Sequence, residues 1–272
     1  MADAHYTSLP RPSGAVSHHY GPQVHLLSQP YPMSLLARLC APETTQPAVG
    51  RLVSRLYDWM LGEVSSRLLS THQQRSATRM ADSHPVEGAY TGERISEAQK
   101  VVVVDVARAG MLPAQQVYMN LHDIIPAANL RQDHVVASRT TDADGTVTGV
   151  ALQAMKIGGG VAGATVLIPD PMAATGSSVA AVIEHYLSHP DGPPRAIAVM
   201  HLIVTPEYLA RITSRFPQVH IFAVRLDRGL SAPDVLQAPP GARWSEERGL
   251  NQIQYIVPGA GGVGELLNNA WV

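Results

Sequence analysis

With 272 residues, 45% of them hydrophobic, and a net charge of −2, the chain has the size and apolar content for one large α/β domain. No Lys/Arg-rich stretch and no apolar run of transmembrane length occurs, which argues against nucleic acid or a membrane as partner. The single cysteine, Cys40, excludes an intrachain disulfide, and the N-terminus lacks the basic-then-apolar pattern of a secretory leader, so a cytoplasmic protein is expected.

Residues 1–24 hold prolines, glycine and His18-His19 without apolar periodicity and read as a mobile tail, with residues 25–272 forming the domain. Helices are predicted over 33–40 and 47–69. In the second, Val49, Leu52, Val53, Leu56, Met60 and Val64 recur at spacings of three and four and build one apolar face. Val101 to Val104 is a β-branched run, as expected for a strand buried on both faces, and a helix follows over 111–121. A strand over 134–138 leads to a hairpin tip at Asp142-Ala143-Asp144-Gly145, with alternating Val147, Val150 and Leu152 returning as the second side of an arm.

An apolar strand over 164–168 then runs into Asp170-Pro171-Met172-Ala173-Ala174-Thr175-Gly176-Ser177-Ser178, and a helix follows over 179–187. A strand, a turn of small residues and a helix together expose backbone amides at a helix N-terminus, where the dipole also favours negative charge. Thr175, Ser177 and Ser178 add hydroxyl donors. Asp170 repels a bare phosphate but suits a ligand that also carries hydroxyls, as a ribose phosphate does. Further strands over 197–204 and 220–224 flank a helix over 206–215. This alternation implies a parallel sheet with right-handed crossovers and ligands at the carboxyl ends of its strands. Residues 233–249 carry Pro239-Pro240-Gly241 and a charged cluster and read as an insertion-like loop.

The Asp170–Ser178 run resembles the phosphoribosyl-diphosphate (PRPP) signature of the type I phosphoribosyltransferases, and its wording is similar to the uracil phosphoribosyltransferase branch. Three other segments resemble family motifs in family order. Val103 to Gly110 is similar to the strand and diphosphate loop ending in Arg-Ala-Gly. Ser138-Arg139-Thr140 stands where a second diphosphate-contacting arginine is found. Tyr255 to Glu265 is similar to the segment that covers the base. The resemblance implies a parallel sheet flanked by helices, with a β-arm and a C-terminal hood over the base site. It also implies conversion of uracil and PRPP to UMP and diphosphate. Arg108 and Arg139 would hold the diphosphate, Asp170 the ribose and Thr175–Ser178 the 5′-phosphate, while Ile256, Gly261, Gly262 and Val263 would contact uracil. Mg²⁺ would be carried mainly by PRPP and water, without a dedicated protein ligand. A homo-oligomer of at least two chains and a GTP effector are further implications.

Two positions depart from the pattern. Ser177 replaces a second glycine of the phosphate loop, and Gly262 replaces an aspartate of the base segment; Glu265 matches a different acidic position. These departures leave open a catalytically altered or inactive paralogue that binds PRPP or nucleotide as a sensor or partner subunit, or a transferase for another base.

Overall fold

The computed structural model describes residues 15–141 and 147–270, with the backbone alone at 138–141 and 147–150. Eight of the described strands form one sheet. They are β1 (Val24–Leu26), β4 (Val101–Ala107), β5 (Leu130–Thr141), β6 (Val147–Lys156), β7 (Thr165–Pro169), β8 (Met172–Ala173), β9 (Ala196–Val204) and β10 (His220–Leu226). The order is β1-β10-β9-β7-β4-β5-β6, with β8 beside β9, and every pair is parallel except β5–β6. β2 (Thr71–Ala77) and β3 (Ala89–Ile95) form a separate antiparallel ribbon.

The β-branched composition of β4 explains its central place. Val102, Val104 and Val106 face one apolar layer, while Val101 and Val103 face the other, and all are buried. The first layer is closed by α4 (Ser177–Leu187) and α5 (Pro206–Arg215), which supply Val179, Ile183, Leu209 and Ile212. The second is closed by α1 (Pro30–Leu39), α2 (Ala48–Leu68) and α3 (Met111–His122), which supply Leu36, Leu56, Met60 and Val117. Two short helices, α6 (Pro233–Gln237) and α7 (Val263–Asn268), complete the chain.

The helix expected over 206–215 has the predicted bounds, because Thr205 caps it: its side chain accepts from the Tyr208 amide, and Pro206 fits the first turn. The strand expected over 134–138 begins four residues earlier, at Leu130. The arm expected beyond it exists as the antiparallel β5–β6 pair, and its tip at Asp142-Ala143-Asp144-Gly145 lies outside the described residues.

The expected tail needs correcting over its described part. Val24 already belongs to β1, which pairs with β10. Ahead of it, Tyr20 is buried, and its hydroxyl donates to the Glu247 carboxylate. Glu247 also accepts from Arg228 at 2.7 Å and from the Gly241 amide at 2.9 Å. Trp244 meets the Tyr20 ring edge-on at 4.8 Å and donates its indole N–H to Pro206 O. The insertion-like loop is thus fastened at once to residues 19–20 and to α5. Composition concealed this because the partners lie 227 residues apart in sequence.

Candidate active site

β7 ends at Pro169, and the chain turns through Asp170 to Gly176 before α4 begins. Gly176 adopts φ 78°, in the left-handed region, and a β-carbon there would lie 2.9 Å from the Tyr208 ring. The first amide bonded within α4 is that of Ala180, which donates to Gly176 O, so the amides of Ser177, Ser178 and Val179 have no partner one turn back. Ser177 opens the helix with ordinary right-handed backbone, so the glycine-to-serine departure costs the turn nothing in geometry.

The turn is held from beneath by groups that the sequence did not reveal. Thr205 Oγ1, fully buried, donates to Ala174 O at 2.7 Å while capping α5. His201 Nδ1 lies 2.6 Å from Asp170 O, and its Nε2 lies 2.6 Å from the Tyr208 hydroxyl. A carbonyl only accepts, so Nδ1 carries the proton and Tyr208 donates to Nε2. Burial pulls the His201 pKa down to about 4, which keeps it in this neutral form.

Asp170, Met172, Ala173, Ala174, Thr175, Gly176, Ser177 and Ser178 all line one cleft of about 530 Å³. Pro171 lies beneath it, buried, with its carbonyl accepting from Leu202 and Ile203. Five further lining residues, Val179, Tyr208, Arg211, Gln252 and Gln254, were not among those predicted. Tyr208 and Arg211 share one face of α5, a helix read in the sequence only as the link between two strands.

Asp170 is the only acidic group lining the cleft among the described residues. Desolvation pushes its pKa up to about 7, against an opposing hydrogen bond from the Met172 backbone. The folded value lies above the ordinary 3.8, so the protonated carboxyl favours the fold at low pH, and that advantage is lost as pH rises through about 7. Urea unfolding of wild type and Asp170→Asn between pH 4 and 8 is expected to show the wild type losing stability relative to the variant. The slope would be at most about 1.4 kcal/mol per pH unit, reduced by whatever water reaches the cleft. A constant difference would contradict the desolvation of this group in the cleft.

Arg108 follows β4, the strand beside β7, and the Ala107–Arg108 peptide is cis. A β-carbon on Gly110 would meet Val106 O at 2.7 Å and Pro169 O at 2.9 Å, so this loop lies directly against the end of β7. The Arg108 side chain is exposed and lies outside the cleft lining; Nη1 makes a long 3.4 Å contact with Ala270 O. Arg139 lies on β5, the next strand, opposite Val150, and only its backbone is described.

The C-terminal segment folds back over these ends. Ile256 bridges to Leu250 and, like Val263, is buried. Asp227 accepts from the Gly259 amide at 2.7 Å, and Arg225, doubly bonded to Asp227, donates to Gly259 O at 3.1 Å. Gly259 and Gly261 both have positive φ, at 63° and 68°. Beyond them, Gly264 sits against Ala109 of the Arg108 loop. At Gly262, the position an added β-carbon would take is 2.2 Å from Glu265 Oε2, so the glutamate carboxylate lies where a side chain of residue 262 would begin. The predicted ribose, phosphate, diphosphate and base segments therefore gather at the carboxyl ends of neighbouring parallel strands, as the rule for open α/β sheets requires.

An enzyme of the type I phosphoribosyltransferase class is what this sheet order and these loops define. Residues 26–239 match the family described as uracil phosphoribosyltransferase, and the chain belongs to that family. A "Uracil phosphoribosyltransferase" of Thermococcus sibiricus is 33% identical over 101 residues, 37% of this chain and about a third (34%) of that protein. One of Natronomonas pharaonis is 27% identical over 89% of this chain and 94% of its own length. The AQ2163 protein of Aquifex aeolicus has the same fold, with a TM-score of 0.67 and 22% identity over 92% of this chain and 99% of its own.

Proposed function

We propose that the protein transfers the phosphoribosyl group of PRPP to uracil, releasing diphosphate and forming UMP. One observation carries this reading: a single cleft runs from a carboxylate suited to ribose hydroxyls to free helix amides and hydroxyls suited to a phosphate. As diphosphate leaves, positive charge develops on the ribose carbon, so positioning and leaving-group stabilisation are the chemistry required. Asp170 orients the ribose, Thr175 to Ser178 anchor the 5′-phosphate, and Arg108 with Arg139 meets the diphosphate. Ile256, Gly261, Gly262 and Val263 form the base side, where main-chain N–H and C=O groups read the pyrimidine edge. The cleft offers one carboxylate, Asp170, and Mg²⁺ would arrive on PRPP and neutralise its diphosphate. Placement in the cytoplasm rests on the single cysteine, Cys40, whereas a homo-oligomer and a GTP effector rest on the resemblance. Among the described residues, no helix is long and apolar enough to cross a membrane.

The test is to mix protein, PRPP, Mg²⁺ and uracil and measure diphosphate and UMP. Release that requires uracil supports the assignment; release only with another base would overturn the choice of base. Binding without release would favour the second reading, a non-catalytic sensor, for which Gly262 is the specific support. Gly262→Asp discriminates further. Glu265 meets that position with the far end of a flexible side chain, so the aspartate can be accommodated. Uracil-dependent turnover is expected to rise; an unchanged or lower rate would mean that the C-terminal segment serves another ligand.

A further inference from the structure

Among the described residues lining the cleft, Arg211 is the one cation. It stands on α5 three residues after Tyr208, and both side chains reach the same spot: a β-carbon on Gly176 would lie 2.9 Å from Tyr208 Cδ2 and 3.4 Å from Arg211 Cδ. The stem of Arg211 is therefore laid against the glycine that precedes α4, at the mouth of the free amides. Its guanidinium has no hydrogen bond or ion pair among the described residues. Arg131, Arg215, Arg225, Arg228 and Arg243, by contrast, are all paired with carboxylates. Glu207, one turn back and the natural i,i+4 partner, is instead engaged by the amides of Gly249 and Leu250. A cation held beside a neutral phosphate turn, with the i,i+4 carboxylate occupied elsewhere, is an arrangement for an arriving anion.

We infer that Arg211 is a binding residue for the 5′-phosphate of the ligand, adding to the Thr175–Ser178 turn a charge that the turn itself lacks. This rests on the phosphoribosyl reading of the cleft but not on uracil being the base. A helix N-terminus carries about half a positive charge, whereas a phosphate monoester carries nearly two negative ones near neutral pH, so the added guanidinium improves the balance. The fork of N–H donors also grips phosphate oxygens in two directions.

The experiment is calorimetric titration of the full chain with Mg²⁺–PRPP and, separately, with UMP, using wild type, Arg211→Gln and Arg211→Lys. Loss of one charge-assisted hydrogen bond predicts dissociation constants raised about tenfold or more for both ligands in Arg211→Gln, with partial recovery in Arg211→Lys. If the protein turns over, KM for PRPP rises likewise, while KM for uracil stays within about twofold. Equal affinity of wild type and Arg211→Gln would overturn the inference while leaving the cleft reading intact. Recovery absent in Arg211→Lys, together with weakened uracil binding, would reduce Arg211 to a structural role. Failure of wild type to bind either ligand would remove both readings together.

Discussion

Replacing Arg108 with alanine is expected to lower uracil-dependent diphosphate release on the order of a hundred- to a thousand-fold. That is the usual consequence of removing one preorganised group that meets charge developing in the transition state. The size of the effect should not be blurred by unfolding. The side chain is exposed, and among the described residues no carboxylate is paired with it and its long contact with Ala270 O is its one hydrogen bond. Circular dichroism and the unfolding midpoint should therefore stay at wild-type values while kcat falls. Activity within a few-fold of wild type would remove Arg108 from the diphosphate site. A parallel collapse of stability would make it a structural residue.

The second large effect is expected at Gly176. Valine there must adopt φ near 78°, a conformation disfavoured for a β-branched residue, and its β-carbon must enter the space 2.9 Å from the Tyr208 ring. Tyr208 cannot simply yield, because it is fully buried and its hydroxyl is committed to His201. Strain and overpacking together predict a loss of about 2 to 4 kcal/mol in unfolding free energy. Because Tyr208 and Thr205 hold the same turn, the amides of Ser177 and Ser178 should also be displaced, raising KM for PRPP more than KM for uracil. Unfolding curves and separate substrate titrations check the two parts. A variant with wild-type stability and an unchanged KM for PRPP would show that the turn is not shaped by this contact.

These two positions also show what could be read before any fold was known. Gly176 and its neighbours form an uninterrupted local pattern, strand then turn then helix, and local chemistry sufficed to mark a phosphate site. The valines of β4 likewise announce a central strand by their composition. What escaped was non-local. The polar β2–β3 ribbon carries no apolar alternation to betray it, since Thr71-His72-Gln73-Gln74-Arg75 reads as loop. His201 and Tyr208 looked like ordinary members of a strand and a helix, and Thr205 like the junction between them; only the crossover from β9 to α5 brings them under the turn. Arg211 was hidden the same way, as one more charge on an amphipathic helix. Tyr20 could not be matched to Glu247 from a proline-rich stretch that resembled a tail.

The proposed chemistry follows from this division of labour. Buried neutral groups fix the turn, the hood is fastened by Arg225 and Asp227, and charges near the ligand stay accessible at the strand ends. Serine at 177 is accommodated because the unusual backbone angle falls one residue earlier, so the phosphate end is left in working geometry by that departure. Gly262 differs, because there a carboxylate from three residues on has turned into the space, and the base end is where specificity is most open to change.

The most direct measurement is titration of the intact protein with PRPP in the presence of Mg²⁺, followed by calorimetry. Saturable heat at one site per chain is predicted, weakened both by Arg108→Ala at one charged end of the sugar and by Gly176→Val at the other. An absence of heat with wild-type protein, or heat that neither substitution alters, would contradict the claim that these separate segments close on one activated ribose.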